Sequence, residues 1–358
     1  MTMNTILSTL KAGDRKSNFE ALRLLSMLMV LNLHSFWGYY SDRGFCQALD
    51  FLRESTSICA VNVFILISGY FGIRWRMKGL YNLLFQVAFY SFAVYLFCVS
   101  TGICNFDRVE FFHCFKAFYD SWGFITWYII LYFLSPVLNV FAEKTDSRQL
   151  LIFIVVFWLA EHVIMRSMGE NLNYFLVYLI GRWISKVGTE PLSNNAGKRY
   201  LITTFIIFVL SYSAYIFLHY DAEKMCCFVL GYSYASPFVI LQAVFLFLFF
   251  SKINIRGKFI NWSAASCLAI FLIHMHPLIK NICYYDFTRS LYDKPFVEHC
   301  VALIILMCVV FCGSILVDKI RMVISECVYL VLRCVYRLIP NKYRIIDFYL
   351  PSKLKDLS

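Results

Sequence analysis

The 358 residues are 60% apolar and only 15% charged, where a soluble domain usually carries about 25% charged residues. That leaves too little polar surface to cover a water-exposed core of this size. The net charge of +11 is dispersed over short loops between apolar runs, which excludes the concentrated basic face of a nucleic-acid binder and matches the loop charge that orients membrane helices.

In chain order, residues 1–18 are polar and basic and lack the short apolar core of a cleavable signal, so the first apolar run is expected to stay in the mature protein. A spanning helix needs about 20 apolar residues. Spans are expected at 19–40, 56–73, 80–100, 124–141, 150–165, 172–185, 200–218, 234–250, 264–282 and 300–317. The sixth is short and carries Arg182. Backbone polar groups must be satisfied internally in lipid, so these spans are helices. With both termini cytoplasmic, 23 of the 33 Lys and Arg fall on the inner side, nine on the outer side, and Arg23 inside the first span. The expected fold is thus an all-α polytopic bundle of about ten transmembrane helices: a cytoplasmic tail (1–18), a membrane domain (19–318), and a cytoplasmic amphipathic helix and tail (319–358). In that last part Lys319, Glu326, Arg333 and Arg337 form one polar stripe, which reads as an interfacial helix. Most cysteines, such as Cys59, Cys98, Cys267, Cys308 and Cys312, lie within apolar runs and read as small hydrophobes.

Ionisable groups within spans are costly and point to function by default. The first span carries Glu20, Arg23 and His34. Eleven residues separate Arg23 from His34, three turns plus about 20°, so the trio shares one face, with Arg23 and His34 about 16 Å apart along the axis. Glu20 and Arg23 alone would read as an interfacial ion pair at i,i+3; His34 on the same face turns the reading toward chemistry. The ninth span carries His274 and His276 ahead of Pro277. Residues at i,i+2 do not share a helix face, and no other metal-ligand pattern is present, so no metal is expected. Asn62, Ser68 and Gly69 interrupt the second span, either as a close helix contact at small residues or as polar contacts to a substrate. Trp127, Tyr128, Ser135 and Pro136 in the fourth span admit packing, a kink or substrate contact.

Together these residues resemble the acyltransferase 3 family of bacterial membrane acyltransferases. The resemblance rests on Glu20-x-x-Arg23 with ten residues before His34, the segment running from Val63 to Ser68-Gly69-Tyr70, Trp127-Tyr128 followed by Tyr132 to Asn139, Tyr234-Ala-Ser236-Pro237, and Ile270 to His274. It runs in order from about Phe19 to Val317. It implies acyl transfer from acyl-CoA, usually acetyl-CoA, to a hydroxyl of a surface glycan or its lipid-linked precursor. The setting it implies is the bacterial inner membrane. Arg23 and His34 match the family's best-known positions. Arg74 and Arg76 are donor-binding candidates, although the single residue between them departs from the family's pair of arginines separated by two residues.

On this reading Arg23 neutralises donor phosphate. A neutral His34 acts as general base on the acceptor hydroxyl or carries a transient acyl group, with Glu20 beside Arg23. His274, Asn62, Ser68, Trp127 and Tyr128 are substrate-binding candidates. The expected partners are the bilayer, acyl-CoA and a saccharide acceptor, with a homo-oligomer left open and nucleic acid not expected. The rival class is a multi-pass transporter or flippase, which often shows repeated halves with broken helices; none is seen in the sequence.

Overall fold

The computed structural model describes residues 16–35, 44–114, 123–163, 172–218 and 233–338. Among these the regular elements are all helical. They are α1 (Ser17–His34), α2 (Gly44–Ser57), α3 (Ala60–Phe71), α4 (Met77–Ser100), α5 (Arg108–His113), α6 (Gly123–Lys144) and α7 (Ser147–Val163). There follow α8 (Asn173–Val187), α9 (Ala196–Leu218), α10 (Pro237–Lys252), α11 (Lys258–Ala264), α12 (Cys267–His274), α13 (Asp286–Ser290) and α14 (Phe296–Leu338). The N-terminal tail before Lys16, the end of the first expected span at Tyr40, Met165 at the end of the fifth, and the tail after Leu338 lie outside the described residues.

The hub is α1, which packs on α2, α3, α10, α11, α12 and α14. The outer helices turn apolar side chains outward. Phe97 on α4, Val137 on α6, Val156 on α7, Phe205 on α9, and Ile304, Val309 and Leu316 on α14 are all more than half exposed. A water-soluble monomer does not spread apolar side chains over its surface in this way; lipid solvates them. Among the described residues five segments are long and apolar enough to cross a membrane: Cys46–Phe71, Met77–Ser100, Gly123–Lys144, Ala196–Ile216 and Phe296–Leu332. Helix Pro237–Lys252 is apolar but shorter. The chain is an all-helical integral membrane protein, and length and composition support five of the ten expected crossings.

The second span begins earlier than its apolar run suggests. Helix α2 starts at Gly44 and bends into α3 at Ile58–Cys59. Two of its charges, which read as loop residues, are paired inside the helix: Arg53 meets Asp50 at 3.1 Å. Lipid cannot satisfy backbone groups, and neighbouring helices donate to carbonyls in the turn before the bend. Asn32 Nδ2 donates to the Arg53 carbonyl (3.2 Å), Gln242 Nε2 to that of Ser55 (2.7 Å), and the Tyr200 hydroxyl to that of Thr56 (2.8 Å).

Below the bend, α3 crosses α8 at a glycine pair. A Cβ on Gly69 would lie 2.2 Å from the Tyr178 carbonyl oxygen, and one on Gly181 would lie 2.6 Å from that of Leu66. The small-residue reading of Gly69 therefore corresponds to backbone-to-backbone contact. It also explains why the short sixth span is a helix: α8 is an inner element, buried from Leu176 to Leu179, with Arg182 paired to Glu143 at 3.2 Å.

The expected break between the tenth span and the interfacial helix is absent. Phe296–Leu338 is one helix of 43 residues, about 64 Å long, because nothing between Val317 and Ile320 terminates a helix. The start of the expected polar stripe packs on protein. Lys319 Nζ donates to the Trp262 carbonyl (2.5 Å) and lies 4.3 Å from the centre of its ring. One residue earlier, fully buried Asp318 accepts from Arg321 Nε (2.6 Å), the Tyr90 hydroxyl (2.9 Å) and Gln86 Nε2 (3.3 Å).

Candidate active site

Arg23 and His34 do share a face of α1, and that face forms one wall of a cavity of about 460 Å³. The size suits a small-molecule site. Met27 and Val30 continue the α1 wall between them, α3 contributes Phe64 and Ser68, α6 contributes Phe124 and Tyr128, and the broken pair α11–α12 contributes Ala264, Ala265, Cys267 and Phe271. The break at Ala265–Ser266 presents two alanines and so leaves room in that wall.

Helix α12 ends at His274 for a local reason. His276 precedes Pro277, and the residue before proline is disfavoured in helical geometry. The ending places His274 in the last turn, where its Nδ1 lies 2.6 Å from the Ile270 carbonyl oxygen. A carbonyl only accepts, so this Nδ1 carries the proton and, in the neutral ring, Nε2 carries the lone pair. That Nε2 lies 2.9 Å from Nδ1 of His34. In the neutral pair His34 Nδ1–H therefore donates to His274, and the basic nitrogen of His34 is Nε2. The two rings, on helices 240 residues apart in sequence, form a buried dyad with one defined proton arrangement. Tyr284 supports it: its ring centre lies 5.4 Å from that of His274, and its hydroxyl donates to the Leu31 carbonyl at 2.6 Å. His276 does not join the dyad; its Nδ1 accepts from the Leu278 amide at 3.3 Å.

At the other end of the α1 wall, Arg23 Nη1 donates to Glu20 Oε1. Glu20 is buried, whereas Arg23 is half-buried and reaches the cavity. Ser68 and Tyr128 also face the cavity. The Ser68 hydroxyl donates to the Phe64 carbonyl (2.9 Å), so at 3.3 Å the Tyr128 hydroxyl is the donor to Ser68.

The remaining candidates stand apart. Asn62 does not line the cavity: its Nδ2 donates to the Tyr234 carbonyl (2.7 Å) and its Oδ1 accepts from Asn173 (2.9 Å). It thereby holds the turn that brings Tyr234 to the cavity wall. Trp127 packs on Tyr174 and Phe175. Arg74 and Arg76 lie with exposed side chains on the α3–α4 loop. Three partners from α6 and α8 hold that loop: the Tyr132 hydroxyl at Arg76 (2.9 Å), Asn139 Nδ2 at the Ile73 carbonyl (2.9 Å), and the Tyr178 hydroxyl at the Ile73 amide (2.9 Å).

Sequence reading missed the aromatic walls, Phe64, Phe124, Phe271, Tyr174 and Tyr234. One signal was available: Phe271 lies three residues before His274 and so on its face of α12.

A family model described as an acyltransferase domain matches residues 16–319. Searches of curated proteins and of solved structures find no match.

Proposed function

The chain belongs to the acyltransferase 3 family, and we propose that it moves an acyl group, most simply acetyl, from a cytoplasmic acyl-CoA to a hydroxyl of a surface glycan or its lipid-linked precursor. The observation that carries this reading is the His34–His274 dyad, whose His34 lines the same cavity as Arg23. The proposed setting is the bacterial inner membrane, crossed ten times, with both termini inside.

The chemistry follows from the tautomers. The donor thioester enters along α1 with its phosphates toward Arg23, whose planar guanidinium suits phosphate. His34 Nε2 takes the proton of the acceptor hydroxyl as that oxygen attacks the thioester carbonyl. The ring is then an imidazolium, and the lone pair of His274 Nε2 accepts from its Nδ1–H, steadying the charge. The tetrahedral intermediate collapses as the C–S bond breaks, and the thiolate recovers the proton from Nε2. A C–O bond replaces a C–S bond, and the proton passes from hydroxyl to thiol. The apolar walls exclude water, which limits hydrolysis of the thioester.

The test is acyl transfer by the purified protein from labelled acetyl-CoA to a saccharide acceptor. Acetylated saccharide together with free coenzyme A is the expected result. Saccharide movement across vesicles without acyl-CoA consumption would identify a transporter instead.

A further inference from the structure

A second cavity, of about 570 Å³, lies at the head of α1, and the acid–base chemistry makes no use of it. Its walls include Lys16, Ser17, Asn18, Lys252 and Arg256, and no carboxylate lines it among the described residues. Three cations thus converge on one concavity, and among the described residues none of them has an ion-pair partner.

The backbone adds donors. Helix α1 starts at Ser17 with no side-chain cap; the Phe19 and Glu20 amides donate to the Lys16 carbonyl, so it offers an anion the Ser17 and Asn18 amides and the positive end of its dipole. The Phe250 carbonyl, at the end of α10, is covered by Asn18 Nδ2 (3.0 Å) and the Ile253 amide (3.2 Å). The wall therefore presents donors and positive charge. Phe19 and Tyr70 also line this cavity, their ring centres 5.6 Å apart. Arg23 lies one turn further along α1 and lines the catalytic cavity.

We infer that this cavity binds phosphate. In the proposed reaction the phosphates are those of the donor's nucleotide, so this occupant rests on the acyl-CoA reading. A phosphorylated lipid headgroup offers the same chemistry, and the experiment separates the two.

The wild type and Lys252→Gln/Arg256→Gln are reconstituted in phosphatidylcholine nanodiscs and titrated with coenzyme A and with pantetheine, which lacks the nucleotide. Lys252→Arg/Arg256→Lys serves as the charge-preserving control. Charge-assisted contacts of this kind are each worth roughly 10- to 100-fold in affinity. The neutral variant should therefore bind coenzyme A at least about tenfold more weakly, with pantetheine unchanged and the control close to wild type. In parallel, native mass spectrometry counts phosphatidylglycerol retained from phosphatidylglycerol nanodiscs. Retention by the wild type and loss in the neutral variant, with coenzyme A affinity unmoved, assigns the cavity to a lipid headgroup. Equal coenzyme A affinity together with equal lipid retention overturns the site while leaving the donor reading intact. If the wild type binds no coenzyme A at all, the donor reading falls, and the lipid measurement alone decides the cavity.

Discussion

At the residue scale, the dyad divides labour between two histidines that composition alone cannot rank. In the proposed mechanism His34 Nε2 is the proton-accepting atom, and His274 sets its tautomer through a single hydrogen bond. Removing a general base typically costs about 10²- to 10⁴-fold in rate. His34→Gln should accordingly abolish measurable transfer at wild-type protein levels, since glutamine fills similar space but cannot take the proton. His274→Gln retains an acceptor for His34 Nδ1–H and should lower kcat with KM for acyl-CoA little changed. An active His34→Gln beside an inactive His274→Gln would move the chemistry to α12. Arg23 answers to a different measurement, acyl-CoA affinity. Arg23→Ala should weaken binding more than Arg23→Lys, which keeps the charge but loses the planar fork. Identical affinities in all three proteins would reduce Arg23 to the partner of Glu20.

At the element scale, two contacts decide whether the bundle closes. The α3–α8 crossing leaves no room for a methyl group, and the obstructing atoms are backbone. Gly69→Ala and Gly181→Ala should therefore each lower the melting temperature in detergent and the yield of inserted protein, whereas Gly313→Ala on α14, with nothing within 4 Å of its added Cβ, should change neither. Helix α14 is tied to α4 by buried Asp318, which accepts from Tyr90 and Gln86 of α4 and pairs with Arg321 one turn along its own helix. Breaking a buried pair by removing one partner typically costs about 3–5 kcal/mol, while replacing both with apolar residues of similar size is often near neutral. Arg321→Met should thus be strongly destabilising, and Asp318→Leu/Arg321→Met should recover much of the loss in thermal unfolding. A double variant as unstable as the single would show that Asp318 is tied down chiefly by Tyr90 and Gln86.

At the scale of the whole molecule, charge asymmetry sets orientation and packing sets the site. A reporter fused after Ser358 should read as cytoplasmic, as the 23-to-9 division of basic residues requires; an extracytoplasmic signal would remove the ten-span count. The all-helical membrane character was legible along the chain. Lipid is a uniform apolar solvent, so hydropathy and loop charge act residue by residue and need no knowledge of neighbours. Within one helix, periodicity is equally local, which is why Arg23 and His34 could be placed on one face before any packing was known. Local terms failed where neighbours change the cost of a group. Asp50 and Arg53 read as loop charges because their ion pair lies within a helix that starts before the apolar run. The α2–α3 bend was hidden because carbonyls in the turn before it are satisfied by Asn32, Tyr200 and Gln242, on three other helices. The break expected before Ile320 is missing because α14 docks its charges on α4 and α11 instead of exposing them to water. The dyad itself belongs to tertiary structure alone. Sequence could name His34 and His274 separately, but a hydrogen bond spanning 240 residues, and with it the choice of which nitrogen is basic, exists only once α12 is packed against α1.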